Sequence, residues 1–180
     1  MWFLLSIEQP LHTGFKVIHP TLGSFWSYHE IPPEIVHLLD GIKKRETYIG
    51  QFELVGAIIP FLSFPDSFFR GYPVQLWIDN AGAVGALVKG YSGKPDCAKL
   101  VNTFHFAVAH LGIESLYIDY VPTESNIADV PSRWHEMSPE ERAEWEPYLG
   151  TLVSSVIPTL ADHNGEWTTY TSIAASLWKR

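Results

Sequence analysis

Three acids stand where a carboxylate needs an explanation. Glu53 lies within an apolar helical pattern, Asp79 ends an alternating strand pattern, and Asp129 follows the last such strand. An ionised carboxylate taken out of water must be paired or must give up its charge. Several acids gathered in one partly dry place repel one another unless they are protonated or bridged by a cation. Oxygen donors of this kind suit Mg²⁺ or Mn²⁺. Two such ions about 4 Å apart can activate a water on one side of a phosphodiester and stabilise the leaving oxygen on the other. Each acid has a plain reading too: Glu53 on a solvated helix face, Asp79 as a cap of the helix that follows it, Asp129 as a turn acid. Asp119, on the outward alternation of its strand, reads as solvated.

The elements that would carry these acids are read from periodicity. Trp2 to Ile7 is a short apolar run ended by Pro10; with no basic lead-in it reads as a strand and not as a signal segment. Phe15 to His19 and Phe25 to Tyr28, joined by turn residues, read as a hairpin. Ile31-Pro32-Pro33-Glu34 can open a short helix that buries Ile35, Leu38 and Leu39. From Glu46 the period becomes helical through Ile49, Phe52, Gly56 and Ile59, with Pro60 as its limit. Val74, Leu76 and Ile78 alternate with Gln75 and Trp77, and then Ala81 to Val88 forms a helix that Gly90 can end. Cys97 to Leu111 is a further helix with Gly112 as cap, and Ser115 to Val121 is the last strand, stopped by Pro122. This order predicts an α/β fold with one mixed sheet of five strands: an antiparallel meander of three, then parallel strands entered through flanking helices.

Composition sets outer bounds. The chain has 180 residues, 46% of them hydrophobic, enough to fill one core and too few residues for two domains of ordinary size. Its one cysteine, Cys97, excludes a disulfide framework and a cysteine-rich zinc site within the chain. No apolar run reaches the roughly 18 to 20 residues of a membrane helix, and no membrane partner is expected. Twelve basic against 20 acidic residues give a formal charge of -8, which opposes adhesion to nucleic acid through a broad basic face. An enzyme that meets nucleic acid through bound cations is still compatible with it. Residues 1–135 read as the domain and 136–180 as an acidic, aromatic-containing appendage with one short helix after Ser138.

The string Leu76-Trp77-Ile78-Asp79-Asn80-Ala81-Gly82-Ala83 and, 50 residues further on, Thr123-Glu124-Ser125-Asn126-Ile127-Ala128-Asp129-Val130-Pro131-Ser132-Arg133 resemble the ribonuclease H-like domain of retroelement reverse transcriptases of the DIRS or gypsy type. The resemblance implies a ribonuclease H-like sheet and a two-metal hydrolase of the RNA strand of RNA-DNA hybrids, with Mg²⁺ or Mn²⁺ as cofactor. It further implies a polymerase domain of the parent element as a partner. Carried over residue by residue, Glu53, Asp79 and Asp129 match three of the four metal-binding acids. The fourth, an aspartate on the first strand, has no counterpart, since no aspartate precedes Asp40. Glu8 is the nearest candidate, one methylene longer than an aspartate. The alternative is an inactive ribonuclease H-like remnant, or a nucleic-acid or protein interaction module that lacks the first acid.

Other groups are weaker signals. Lys43-Lys44-Arg45 is a basic run before the Glu53 helix, either solvated or in contact with phosphate. Eight histidines show no metal-ligand spacing, and His135 stands out only by lying six residues after Asp129. Trp2, Trp26 and Trp77 read as core or sheet-face residues. Cys97 reads as a core side chain or an exposed thiol, and the tail tryptophans Trp145, Trp167 and Trp178 suggest docking.

Overall fold

The computed structural model describes residues 1–8, 12–31 and 49–154. Lys43-Lys44-Arg45, the predicted Pro-Pro helix, Trp167 and Trp178 fall outside these described residues.

The sheet grows from a hairpin meander. β1 (Trp2–Glu8), β2 (His12–His19) and β3 (Gly23–Glu30) pair antiparallel, with Leu5 opposite Phe15 and Lys16 opposite Trp26. β4 (Val74–Ile78) joins β1 in parallel, and β5 (Leu116–Tyr120) joins β4 in parallel. The alternation read from Val74 to Ile78 appears directly: Val74, Leu76 and Ile78 are buried and the two residues between them are half-buried. The expected fold class holds, a mixed sheet with its first three strands antiparallel and the later ones parallel, in the order β5-β4-β1-β2-β3-β6. One strand more than expected is present. β6 (Thr151–Leu152), two residues long, lies parallel along the outer edge of β3.

One sheet face is covered by α1 (Ile49–Ser63), α3 (Ala81–Lys89) and α4 (Pro95–His110), with the short α2 (Asp66–Phe69) after α1. α1 is apolar nearly all round, as a helix enclosed on several sides must be. Phe52, Leu54, Val55, Ala57, Ile58, Ile59, Phe61 and Leu62 are all buried. Pro60 does not end it. The helix continues to Ser63 because Phe61, Leu62 and Phe64 bury themselves beyond the proline, and that packing outweighs one missing backbone bond. Phe61 is ringed by Phe3, Phe69 and Phe104 at centroid separations of 5.3, 5.7 and 5.2 Å.

On the opposite face, α5 (Asp129–Ser132) lies over β1, β2 and β3, and α6 (Pro139–Leu149) follows. α6 starts as expected: Ser138 and Glu141 form a reciprocal capping box with Pro139 in the first turn. A second small core, of Trp26, Trp134 and Leu149, fastens this layer. The buried ammonium of Lys16 donates to the Tyr148 carbonyl at the end of α6, and Trp26 Nε1 donates to the Gly150 carbonyl. Trp26 is thus core, whereas Trp2 is half exposed on the sheet.

Candidate functional site

α1 is the element that sends an acid toward the end of the sheet. Glu53 is 3% exposed among the apolar side chains of the helix, so the reading as a solvated helix face is excluded. Its carboxyl shares a hydrogen bond with Asp79, and its Oε2 is buried with no hydrogen-bond partner. Burial first, then the charges of Asp79 and Asp129, push the Glu53 pKa from its ordinary 4.5 up to about 9. At neutral pH Glu53 therefore holds a proton that a bound cation would displace.

Asp79 sits one residue beyond β4, where the chain leaves the sheet for α3. The role of helix cap falls to its neighbour: Asn80 Oδ1 accepts the Ala83 amide at 3.0 Å. That assignment leaves the Asp79 carboxylate to face Glu53. Gly90, at φ 72°, closes α3 in the left-handed conformation expected of it.

Asp129 opens α5 through a turn that its neighbouring residues build. Asn126 is buried; its Oδ1 accepts the Ala128 amide at 3.2 Å and its carbonyl accepts the Asp129 amide at 3.0 Å. Ala128 is fully buried, and the Ser132 hydroxyl, also fully buried, donates to the Asp129 carbonyl at 2.9 Å. The Asn, Ala and Ser of this motif thus shape the turn, and the aspartate is the member left to act. Arg133 stands 4.0 Å from the Asp129 carboxylate.

Asp79 and Asp129, from two other elements, both act on the buried Glu53 through their charges. Glu8 is the last residue of β1, paired with His12. The β1–β4 register ends at Leu5 beside Ile78, so the β1 residue one step past the last pair is Ser6, and Glu8 lies two residues further on. Among the described residues, no group of three or more His, Cys, Asp or Glu side chains is placed so that it could hold a metal ion. Carboxylate oxygens are the donor type that hard divalent cations take, and Glu53 Oε2 is buried without a hydrogen-bond partner. The starts of α1, α3 and α4 border a cleft of about 600 Å³ lined by Gly50, Gln51, Asn80, Ser92 and Lys94 among others, whose lining includes none of the three acids.

Two neighbours had no signal strong enough to place them together. The ring of His135 stacks on that of His12, with centroids 3.4 Å apart and planes at 17°, and Nε2 of His135 is 3.3 Å from Glu136. Burial foremost, then His135, lowers the His12 pKa, against the charges of Glu30 and Glu136. His12 carried no motif at all, and its contact with His135 comes from the register of β2. Cys97 is buried, and Asp119 is half-buried and accepts the Tyr117 hydroxyl at 2.6 Å.

No protein-family model matches the chain, and no curated protein matches it. Among solved structures, a ribonuclease H1 from the halophilic archaeon Halobacterium salinarum NRC-1 aligns with a TM-score of 0.42 and 12% identity, covering 72% of this chain and 93% of that one.

Proposed function

We propose that the chain is a divalent-metal phosphodiester hydrolase of the ribonuclease H kind, acting on the RNA strand of an RNA-DNA hybrid and derived from a retroelement reverse transcriptase. The observation that carries this reading is Glu53, buried in α1 and raised to about 9 by that burial and by the charges of Asp79 and Asp129. A protein gains nothing in stability from such a cluster, so its use is to hold cations. Glu53, Asp79 and Asp129 would hold Mg²⁺ or Mn²⁺, which supplies an activated water and charge stabilisation at the phosphoryl oxygens. Glu53 gives up its proton on loading, Asp79 is held in place by the end of β4, and Asp129 by the turn at Asn126. The cleft beside Asn80 and Lys94 gives a polynucleotide strand room to approach.

A second reading has its own support. β1 carries no aspartate where the resemblance calls for one, and the residue one step past its last pair with β4 is Ser6, which favours a remnant that binds without cleaving. One experiment separates the two. Purified chain is incubated with a labelled RNA-DNA hybrid with and without Mg²⁺ or Mn²⁺, beside an Asp79→Asn variant. Metal-dependent cleavage of the RNA strand that falls at least 100-fold in the variant supports hydrolysis. Hybrid retention with no cleavage in either protein supports the remnant, and absence of both activities rejects the reading altogether.

A further inference from the structure

Gly14, the third residue of β2, is set against another stretch of backbone more closely than any side chain would allow. A methyl group built on it would stand well within 3.0 Å of the Ser132 amide nitrogen, and 2.7 Å from both the carbonyl carbon and Cβ of Pro131. The Ser132 nitrogen and the Pro131 carbonyl carbon belong to the main chain and cannot rotate away. Gly14 is not among the glycines with positive φ, so conformational freedom does not explain it. What the position requires is the missing Cβ.

The backbone it admits is that of α5, the turn that begins with Asp129. Ser132 donates its amide to Ala128 and its hydroxyl to the Asp129 carbonyl, and the Arg133 amide donates to the same carbonyl at 3.2 Å. These bonds tie the two ends of the turn together, so a displacement at Ser132 is passed to Asp129. Pro131 and Ser132 are buried between α5 and the sheet and leave no slack to absorb it.

We propose that Gly14 is a positioning residue: its bare backbone lets α5 sink onto β2 and so sets how deeply Asp129 reaches toward Glu53 and Asp79. The inference builds on the reading of these acids as a cation site. A Cβ at this position would make α5 retreat by on the order of 1 Å, a misplacement of the size that costs a reacting constellation about 100-fold.

The test compares Gly14→Ala with Gly150→Ala. Gly150 meets the Ser24 backbone just as tightly, on the β3 edge, and touches none of the three acids. Both proteins are measured by thermal melting and by Mn²⁺ titration calorimetry, and the crystal structure of G14A is solved. Expected are a lowered melting temperature in both variants, Mn²⁺ binding weakened at least tenfold in G14A alone, and Asp129 displaced from Asp79 by on the order of 1 Å. The proposal is overturned if Asp129 keeps its place in G14A, if G150A weakens Mn²⁺ binding as much, or if G14A does not fold at all, since the glycine would then hold the sheet together and not set the acid's depth. Should the unsubstituted chain bind no Mn²⁺, the cation-site reading fails by itself, while the displacement of Asp129 still decides the role of Gly14.

Discussion

Replacing Glu53 by glutamine removes a group whose cost to the metal-free protein can be worked out. Unfolded, Glu53 ionises near 4.5; folded, it holds its proton up to about 9. A folded pKa raised above the unfolded one gives stability that is fully present below pH 4.5 and is lost as the pH rises through that window toward 9. At pH 7 the loss amounts to about 3 kcal/mol, at 1.36 kcal/mol per unit. E53Q has no proton to lose and keeps an amide that can donate to Asp79. Without divalent ions, the variant should therefore melt roughly 6–12 °C above the parent at pH 7, with the gap closing near pH 4.5. Added Mn²⁺ should raise the melting temperature of the parent and leave that of E53Q nearly unchanged, because the ion does the work of displacing the proton only where a carboxylate is left behind. Differential scanning calorimetry across pH 4.5–8, with EDTA or Mn²⁺, reads all of this. An E53Q protein no more stable than the parent at pH 7 would refute the electrostatic account of the cluster, and an equal Mn²⁺ response in both proteins would remove Glu53 from the cation site.

Ser6→Asp should supply an acid at the β1 residue one step past the last pair with β4. It is expected to tighten Mn²⁺ binding by about tenfold or more while Glu8→Gln changes little, and calorimetry showing the reverse would place the fourth ligand at Glu8. Phe61→Ala, at a fully buried ring among Phe3, Phe69 and Phe104, should cost about 3–5 kcal/mol. In a denaturant titration, a loss under 1 kcal/mol would show that the aromatic cluster is not the keystone of the core.

The sequence showed most of the fold where local pattern and tertiary role agree. Val74 to Ile78 alternates because one of its faces is buried, and Asn80 with Gly90 brackets α3 by side-chain and backbone chemistry that acts over four residues. The motif around Asp129 was legible for a similar reason, since Asn126, Ala128 and Ser132 build one local turn. What could not be read depends on distant partners. Pro60 signals a helix end to any local rule, and only the aromatic residues arriving from β1 and α4 show why the helix runs on. β6 is too short to have a period, and its strand character comes from the edge of β3 that it meets. The pairing of Leu5 with Ile78, which makes Ser6 the next β1 residue beyond the ladder, is a register between strands some 70 residues apart, whereas the sequence alone points to Glu8.

The small arm formed by α6 and β6 has a practical bearing on how the protein is handled. β6 takes up backbone groups at the rim of β3, where the Val153 amide also donates to the Trp26 carbonyl at 2.9 Å. Cutting the chain at residue 135 would strip that cover, leave the Lys16 ammonium without its carbonyl, and open the indole of Trp26 to solvent. An uncovered rim of that kind invites strand addition by neighbouring copies, so a shortened protein would be at risk of precipitating for reasons unrelated to its chemistry.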